Sequence, residues 1–273
     1  MAWIERPGGL VHLGEASEWS YAGDGEEPRT VDLVPFAISA YAVSNRQWAE
    51  FATATNHRTE SEQFGWSFVF AGLLPDEFEA TRGVVGSEWW RQVHGADWAH
   101  PEGPHTDIET RMDHPVVHVS WRDAMAYCDW AAVRLPTEGE WEDAARAGTT
   151  TTWPWGDELE PGGEHRMNVF QGDFPSDNTA SDGWVATCPV DAFAPQGAGV
   201  YNAIGNVWEW TADVFQAPGR VTDPNARVMK GGSYLCHRSN CRRFRPAARL
   251  SNTIDSAAGN VGFRVARRDR SGG

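Results

Sequence analysis

No run of apolar residues in this chain approaches the roughly 18 that a membrane-spanning helix needs. The first twenty residues hold Glu5, Arg6, Glu15 and Glu18 and no apolar stretch, so no signal peptide is expected. Basic residues are scarce as well: Lys and Arg number 23 against 38 Asp and Glu, a formal net charge of −15. Phosphate binding needs cations clustered over a broad face, so this composition argues against a nucleic-acid partner. The acidic balance suits solubility and the binding of cations or a basic peptide. Cysteine is sparse, at four residues in 273. These absences together point to a cytoplasmic protein without a membrane partner, in a compartment where stable disulfides are uncommon.

Tryptophan, by contrast, is abundant: 15 residues, alongside 28 glycines and 16 prolines spread along the chain rather than gathered in a linker. With 41% hydrophobic residues the chain can bury a substantial core, and a single domain over residues 1–273 is expected. Indole N–H groups need polar partners when buried, which predicts a rigid, loop-rich fold tied together by side-chain hydrogen bonds.

The stretch the chain is organised around is Met229 to Cys241, M-K-G-G-S-Y-L-C-H-R-S-N-C. Cys236 and Cys241 follow a Gly231-Gly232 pair, where backbone can turn sharply. Arg238, Arg242, Arg243, Arg245 and Arg249 lie around and after them, and a thiol near several guanidinium groups gains thiolate character. On spacing alone the cysteines read equally as a structural disulfide, as two inert thiols or as a reactive pair.

Around this stretch, residues 1–40 read as short strands and turns, with an extended apolar run from Val31 to Ile38. A helix capped at Ser44 or Asn45 carries Trp48, Phe51 and Ala52 on one face and stops at Asn56. Residues 57–110 read as the least regular part. Their aromatics, Phe64 to Phe70 with Trp89, Trp90 and Trp98, are either core filling or the wall of a groove for an extended peptide. His114 to Val119 reads as a strand, because Pro115 and the β-branched residues oppose a helix; this argues against a metal role for His114 and His118. Ser120 caps a helix whose buried face carries Ala124, Tyr127, Cys128 and Ala131, with Cys128 as a quiet thiol. Thr137 and Glu140 form a capping box over Trp141, and Gly148 ends that helix. Beyond it, strands and loops are expected. The segments Asn168 to Trp184 and Gly199 to Trp210 mix carboxylates, amides and glycine turns, a composition that allows oxygens to converge on a hard cation.

Four blocks, Arg134-Leu135-Pro136-Thr137-Glu138 with Glu140-Trp141, Gly205 to Trp210, Gly231-Gly232-Ser233 and Asn260 to Arg264, resemble the sulfatase-modifying-factor family. That resemblance implies an α+β, C-type-lectin-like fold with little regular secondary structure. Three narrower stretches, Phe64 to Phe70, His100 to Pro104 with Asp113 to Trp121, and Ser233 to Cys241, are similar to the aerobic bacterial formylglycine-generating enzymes. The likeness runs from about residue 5 to 267.

The resemblance implies that Cys236 and Cys241 bind one Cu(I), and thiolates do select soft monovalent copper over hard ions. The implied substrate is the cysteine of a Cys-x-Pro-x-Arg motif in an unfolded sulfatase. Molecular oxygen would oxidise its thiol-bearing carbon to the aldehyde of formylglycine. Ser233, His237 and Asn260 would line the site. Structural calcium is implied at Asn168 and Asp182 with the carbonyls of Val169 and Trp184, and at Asn202 and Glu209 with the carbonyls of Gly205 and Val207. The chain also departs from the family. Ala145 with Pro246, and Cys128 with Val265, stand where secreted members form disulfides, and Asn240 and Phe244 stand where tyrosines often occur. Trp66 and Ala42 occupy groove positions where other members carry acids, and Cys188 matches no family role. Two rival readings remain at this stage: an iron-dependent sulfoxide synthase, which needs a histidine-rich site, and a non-catalytic peptide-binding module.

Overall fold

The computed structural model describes residues 1–268. The chain opens with strands β1 (Trp3–Arg6) and β2 (Gly9–Leu13), then a loop, β3 (Arg29–Leu33) and β4 (Phe36–Ser39). Helices α1 (Asn45–Thr55) and α2 (Glu60–Phe64) lead into β5 (Trp66–Phe70), β6 (Gly83–Val84) and β7 (Ser87–His94). Helices α3 (Trp121–Ala131) and α4 (Glu138–Arg146) follow. The rest is loops joined by β8 (Gly172–Asp173), β9 (Asp177–Asn178), β10 (Trp208–Val214), β11 (Ala226–Lys230), β12 (Leu250–Thr253), β13 (Val261–Phe263) and β14 (Ala266–Arg268). Helix makes up 17% and strand 25%, so most of the chain is turn and loop, as an α+β fold low in regular structure requires.

Each longer helix starts where its side chains dictate. Ser44 with Gln47, Ser120 with Asp123 and Thr137 with Glu140 all form reciprocal capping boxes. A fourth box, Thr59 with Glu62, opens α2, a helix that was not expected although its T-x-x-E spacing is visible in the sequence. Asn56, Ala132 and Ala147 end α1, α3 and α4 in the left-handed conformation.

Sheet order is β12-β11-β10-β13 in the largest sheet and β1-β4-β14 in a second, so the two ends of the chain pair through β4. Trp48, Trp141, Trp153 and Trp210 are almost fully buried in one core with Phe36, Ile38, Phe51 and Phe263. Three of these indoles donate to side chains or backbone: Trp141 to Glu209, Trp153 to the Phe244 carbonyl and Trp210 to the Val119 carbonyl.

Two expectations are corrected. Residues 57–110 are not irregular, because β5 pairs with β7 from Trp66↔His94 to Phe70↔Trp90, and β7 also pairs with β6. His114 to Val119 is not a strand. Its backbone bonds pass to different neighbours, Val116 N–H to the Val43 carbonyl and His118 N–H to the Ala258 carbonyl, and His118 has a φ of 58°. A segment threaded through the core between two partners makes no ladder, however β-branched it is.

Buried charge ties the layers together. Arg264 forms a bidentate pair with Glu209 inside the core, with Arg264 Nη2 2.8 Å from Oε1. Lys230, the only lysine, is fully buried against Glu142 at 3.2 Å. Burial pushes Glu142 upward, but Lys230, Arg146 and Arg29 outweigh it and hold the carboxyl at about 2. Arg245 is fully buried and donates to Glu26 at 2.7 Å, to Glu15 at 3.2 Å and to the Trp19 carbonyl. Removing one partner of such a pair leaves an uncompensated buried charge, at a cost of about 3–5 kcal/mol. Arg245→Met should therefore lower the unfolding free energy by about that amount in urea titrations followed by tryptophan fluorescence. A loss no larger than that of an exposed pair, about 1 kcal/mol, would show that Arg245 is dispensable to the fold.

Candidate active site

Beyond β11 the chain reverses at Gly231 and Gly232, with φ of 97° and 78°. A Cβ on Gly231 would stand 2.4 Å from the Ala203 carbonyl oxygen, and one on Gly232 would stand 2.8 Å from Phe244 Cα. Glycine is required at both by conformation and by space. Cys236 N–H then bonds the Ser233 carbonyl, and the His237 carbonyl accepts from both Asn240 and Cys241 N–H. This turn brings the two sulfurs to 3.0 Å, in contact and unbonded.

The thiols are not equivalent. Burial pushes Cys236 well above the ordinary thiol range, and its contact with Cys241 adds to the rise. Cys241 is drawn down to about 7, first by the Cys236 thiol and then by the backbone N–H and guanidinium of Arg243, against burial. One thiolate with one thiol held against it is the stable arrangement near neutrality. The expected cationic surroundings are therefore corrected to a single residue, Arg243. Arg245 and Arg249 point away into carboxylate pairs, Arg242 bonds the Glu18 carbonyl, and Arg238 is exposed. Arg243 is itself held between Asp24, at 2.7 Å, and the face of Tyr21, at 3.8 Å from the ring centroid.

Both sulfurs open onto a groove of about 590 Å3. One side is the β5–β7–β6 sheet, carrying Trp66, Phe68, Trp89 and Trp90, with Phe64 beside it; the other is formed by Leu250, Asn252 and the segment Asp255 to Val261. The two sides meet at a parallel bridge between Phe68 and Ala258. The aromatics of residues 57–110 thus divide between the two readings given to them: those above line the groove, while Phe70 is buried against Phe170.

The structure gathers Cys236, Cys241, Ser233 and Asn260 at this groove, along with Asn240 and Trp66. Asn260 Nδ2 donates to Ser233 Oγ at 3.0 Å, which fixes the hydroxyl beside the cysteine turn. His237 does not line the groove: its Nδ1 bonds Ser239 Oγ at 2.8 Å, and its ring meets the edge of Phe170. Ala42 and Phe244 do not line it either. Ala42 is buried, and Phe244 packs between Trp19 and Trp153 beneath the glycine turn. Cys128 and Cys188 are buried elsewhere, each pushed up by burial to about 12, so neither is a reactive thiol. Asp255 was not singled out from the sequence, and no local signal marks it, because only the tertiary fold brings residues 250–258 beside β5.

His118 braces the groove from below. Its Nε2 lies 2.8 Å from the Pro101 carbonyl, which only accepts, so the proton sits on Nε2 and Nδ1 accepts from Ser67 Oγ at 2.7 Å. His114 bonds Thr187 instead, and the two imidazoles share no partner. Among the described residues no group of three or more His, Cys, Asp or Glu side chains converges on a metal position, so no histidine-rich iron site is built.

The residues implied as metal ligands differ in how far their bonding is already met. Two thiols, one readily ionised, are a donor set that fits a soft monovalent metal. Asn168 Oδ1 and Asn202 Oδ1 are buried acceptors with no hydrogen-bond partner, as cation ligands would be before an ion is present. Asp182 lies beside the first, accepting from the N–H groups of Val169 and Trp184. Around the second, Glu209 does not fit as a ligand, since Arg264 and Trp141 occupy both of its oxygens. Of the side chains implied there, Asn202 alone keeps an unpartnered oxygen.

The family described as "Sulfatase-modifying factor enzyme 1-like domain" matches residues 2–269. The chain is 51% identical to a protein of Thermomonospora curvata named formylglycine-generating enzyme, over 95% of this chain and 91% of that one. It is also 44% identical to a Bos taurus protein named inactive C-alpha-formylglycine-generating enzyme 2, over 96% of this chain and 87% of that one. Among solved structures, PvdO of Pseudomonas aeruginosa shares the fold, with a TM-score of 0.71 at 22% identity, covering 98% of this chain and 94% of that one.

Burial holds His118 down at about 4, against the pull of the Pro101 carbonyl and the carboxylates of Glu102 and Asp97, with Arg111 opposing protonation. The unfolded imidazole takes its proton near 6.5, so between pH 6.5 and about 4 the unfolded state binds more protons and stability falls as pH falls. Urea midpoints measured from pH 7.5 to 4.5 should decline through that window, and less steeply for His118→Gln. An identical slope in the variant would show that His118 is not the group responsible.

Proposed function

The chain belongs to the sulfatase-modifying factor enzyme family as a formylglycine-generating enzyme, and from that premise we propose how it works: the cysteine of a Cys-x-Pro-x-Arg segment, extended in the groove, is oxidised at the Cys236–Cys241 pair. The observation that carries this reading is the pair itself, two sulfurs in contact at the floor of an aromatic groove, with Cys241 poised to ionise near neutrality.

Cu(I) held by the two sulfurs would supply a soft centre able to take the substrate thiol as a further ligand and to engage molecular oxygen as co-substrate. The chain's own residues set the stage for this. The glycine turn and the His237 carbonyl fix the spacing of the thiols. Arg243, locked by Asp24 and Tyr21, stabilises the Cys241 thiolate that a soft cation needs. Ser233, oriented by Asn260, offers a hydroxyl beside Cys236 that can hold or pass a proton as the substrate thiol gives up its own. The flanking tryptophans and phenylalanines exclude water and grip a peptide along its length.

The non-catalytic alternative is set by the Bos taurus relative, whose name records an inactive protein. The contact between two groove-facing thiols favours catalysis here, since a binding module needs neither sulfur. Calcium at Asn168 and Asp182 belongs to the same reading, as a brace for a loop that has little core of its own.

Cys236→Ser and Cys241→Ser should each abolish tight Cu(I) binding, measured by competition against a chromogenic chelator, while Cys128→Ser and Cys188→Ser should not. In parallel, copper-loaded protein should convert the peptide thiol to an aldehyde, read by mass spectrometry. Retained copper affinity in both groove mutants, or peptide binding without conversion, would overturn the oxidase reading. Calcium chelation should lower the melting temperature by about 2–4 °C for each kcal/mol of ion binding lost, and Asp182→Ala should remove that dependence.

A further inference from the structure

The Ser233 hydroxyl is made a donor by its neighbours. Its oxygen accepts from Asn260 Nδ2 at 3.0 Å and from the Leu235 N–H at 3.3 Å. Both lone pairs are then used, so its single proton is left to donate, and the Cys236 sulfur beside it is the acceptor. Asn260 keeps Ser233 in this state only while its own segment stays in place.

Residues 257–260 form no strand, and their backbone groups are met one at a time. The Ala258 carbonyl accepts from the His118 N–H, the Gly259 N–H donates to the Phe68 carbonyl, and the Asn260 carbonyl accepts from the Trp208 N–H. None of these bonds reaches the cysteine turn. The one that does comes from a side chain: buried Tyr234 donates its phenol O–H to the Gly259 carbonyl at 3.2 Å. Ser233 and Tyr234 thus hold Asn260 and Gly259, neighbour to neighbour, across the two segments. Behind Gly259 stands His118, whose ring would lie 3.2 Å from a Cβ placed there. The tyrosine itself is anchored, since its N–H bonds the Asn206 carbonyl at 2.9 Å and its ring packs with Phe70, Phe170 and Leu235.

We propose that Tyr234 is a positioning residue for the oxidation: its hydroxyl fixes the separation between the cysteine turn and residues 259–260, and so keeps Asn260 on Ser233 and the Ser233 proton aimed at the Cys236 sulfur. This rests on the cysteine pair being the site of oxidation. Tyr234 lies behind the turn rather than on the groove wall, so it acts through Ser233 and Asn260 and not on the peptide.

Tyr234→Phe removes one oxygen and leaves the ring in its apolar cluster. In the copper-loaded variant, kcat for peptide oxidation should fall about 10-fold while KM stays within about 2-fold of wild type, the pattern of a misaligned reacting group. A double-mutant cycle separates positioning from lost stability. In an Asn260→Ala background, Tyr234→Phe should lower kcat no further, because its route to the chemistry is gone, yet it should lower the urea midpoint in both backgrounds. Additive losses in kcat, or a raised KM at unchanged kcat, would overturn the assignment. The side-chain amide of Asn260 supplies a readout that needs no turnover. Its NMR signals, identified by their absence from Asn260→Ala, should shift in Tyr234→Phe, and unmoved signals would also overturn the assignment. Shifted signals in a protein whose wild type oxidises no peptide would count instead against the oxidase reading.

Discussion

The segment that carries the active thiols is held by arginines that leave it. After Cys241 the chain has almost no regular structure until β12, yet Arg243, Arg245 and Arg249 each bind carboxylates from distant parts of the sequence, Asp24, Glu15 with Glu26, and Glu138. Two of these guanidinium groups are buried, where an unpaired charge would cost several kcal/mol, so the loop cannot shift without breaking them. This gives a loop the rigidity usually reserved for a strand. It also accounts for the acidic balance of the chain: part of the excess of Asp and Glu serves to clamp internal cations.

The site inherits its chemistry from that clamp. Because Arg245 and Arg249 are spent on carboxylates, only Arg243 faces the thiols, and it faces one of them. The pair is asymmetric chiefly because burial pushes Cys236 up while the Cys236 thiol, and then Arg243, draw Cys241 down to about 7. The same economy leaves the groove almost free of charge.

Local signals in the sequence were reliable where the deciding interaction was itself local. The caps at Ser44, Ser120 and Thr137 were legible because a hydroxyl and an N3 acceptor three residues apart meet in any context. The Thr59 box obeys the same rule, although aromatics surround it. His114 to Val119 misled because β-branching reports a preference for extended backbone, not the presence of a neighbour to pair with. His237, two residues from Ser239, was drawn to that hydroxyl and to Phe170, a choice between nearby partners that spacing cannot make.

The cysteine pair, the glycine turn before it and the aromatic supply for a groove were determined by the sequence alone, since each rests on residue type and short spacing. Which arginine touches which thiol, and which aromatics face the groove, were decided only in three dimensions. Those choices depend on the parallel bridge between Phe68 and Ala258 and on ion pairs spanning more than a hundred residues, such as Arg245 with Glu26 across 219. Contacts of that range are fixed by global packing, and no local pattern encodes them.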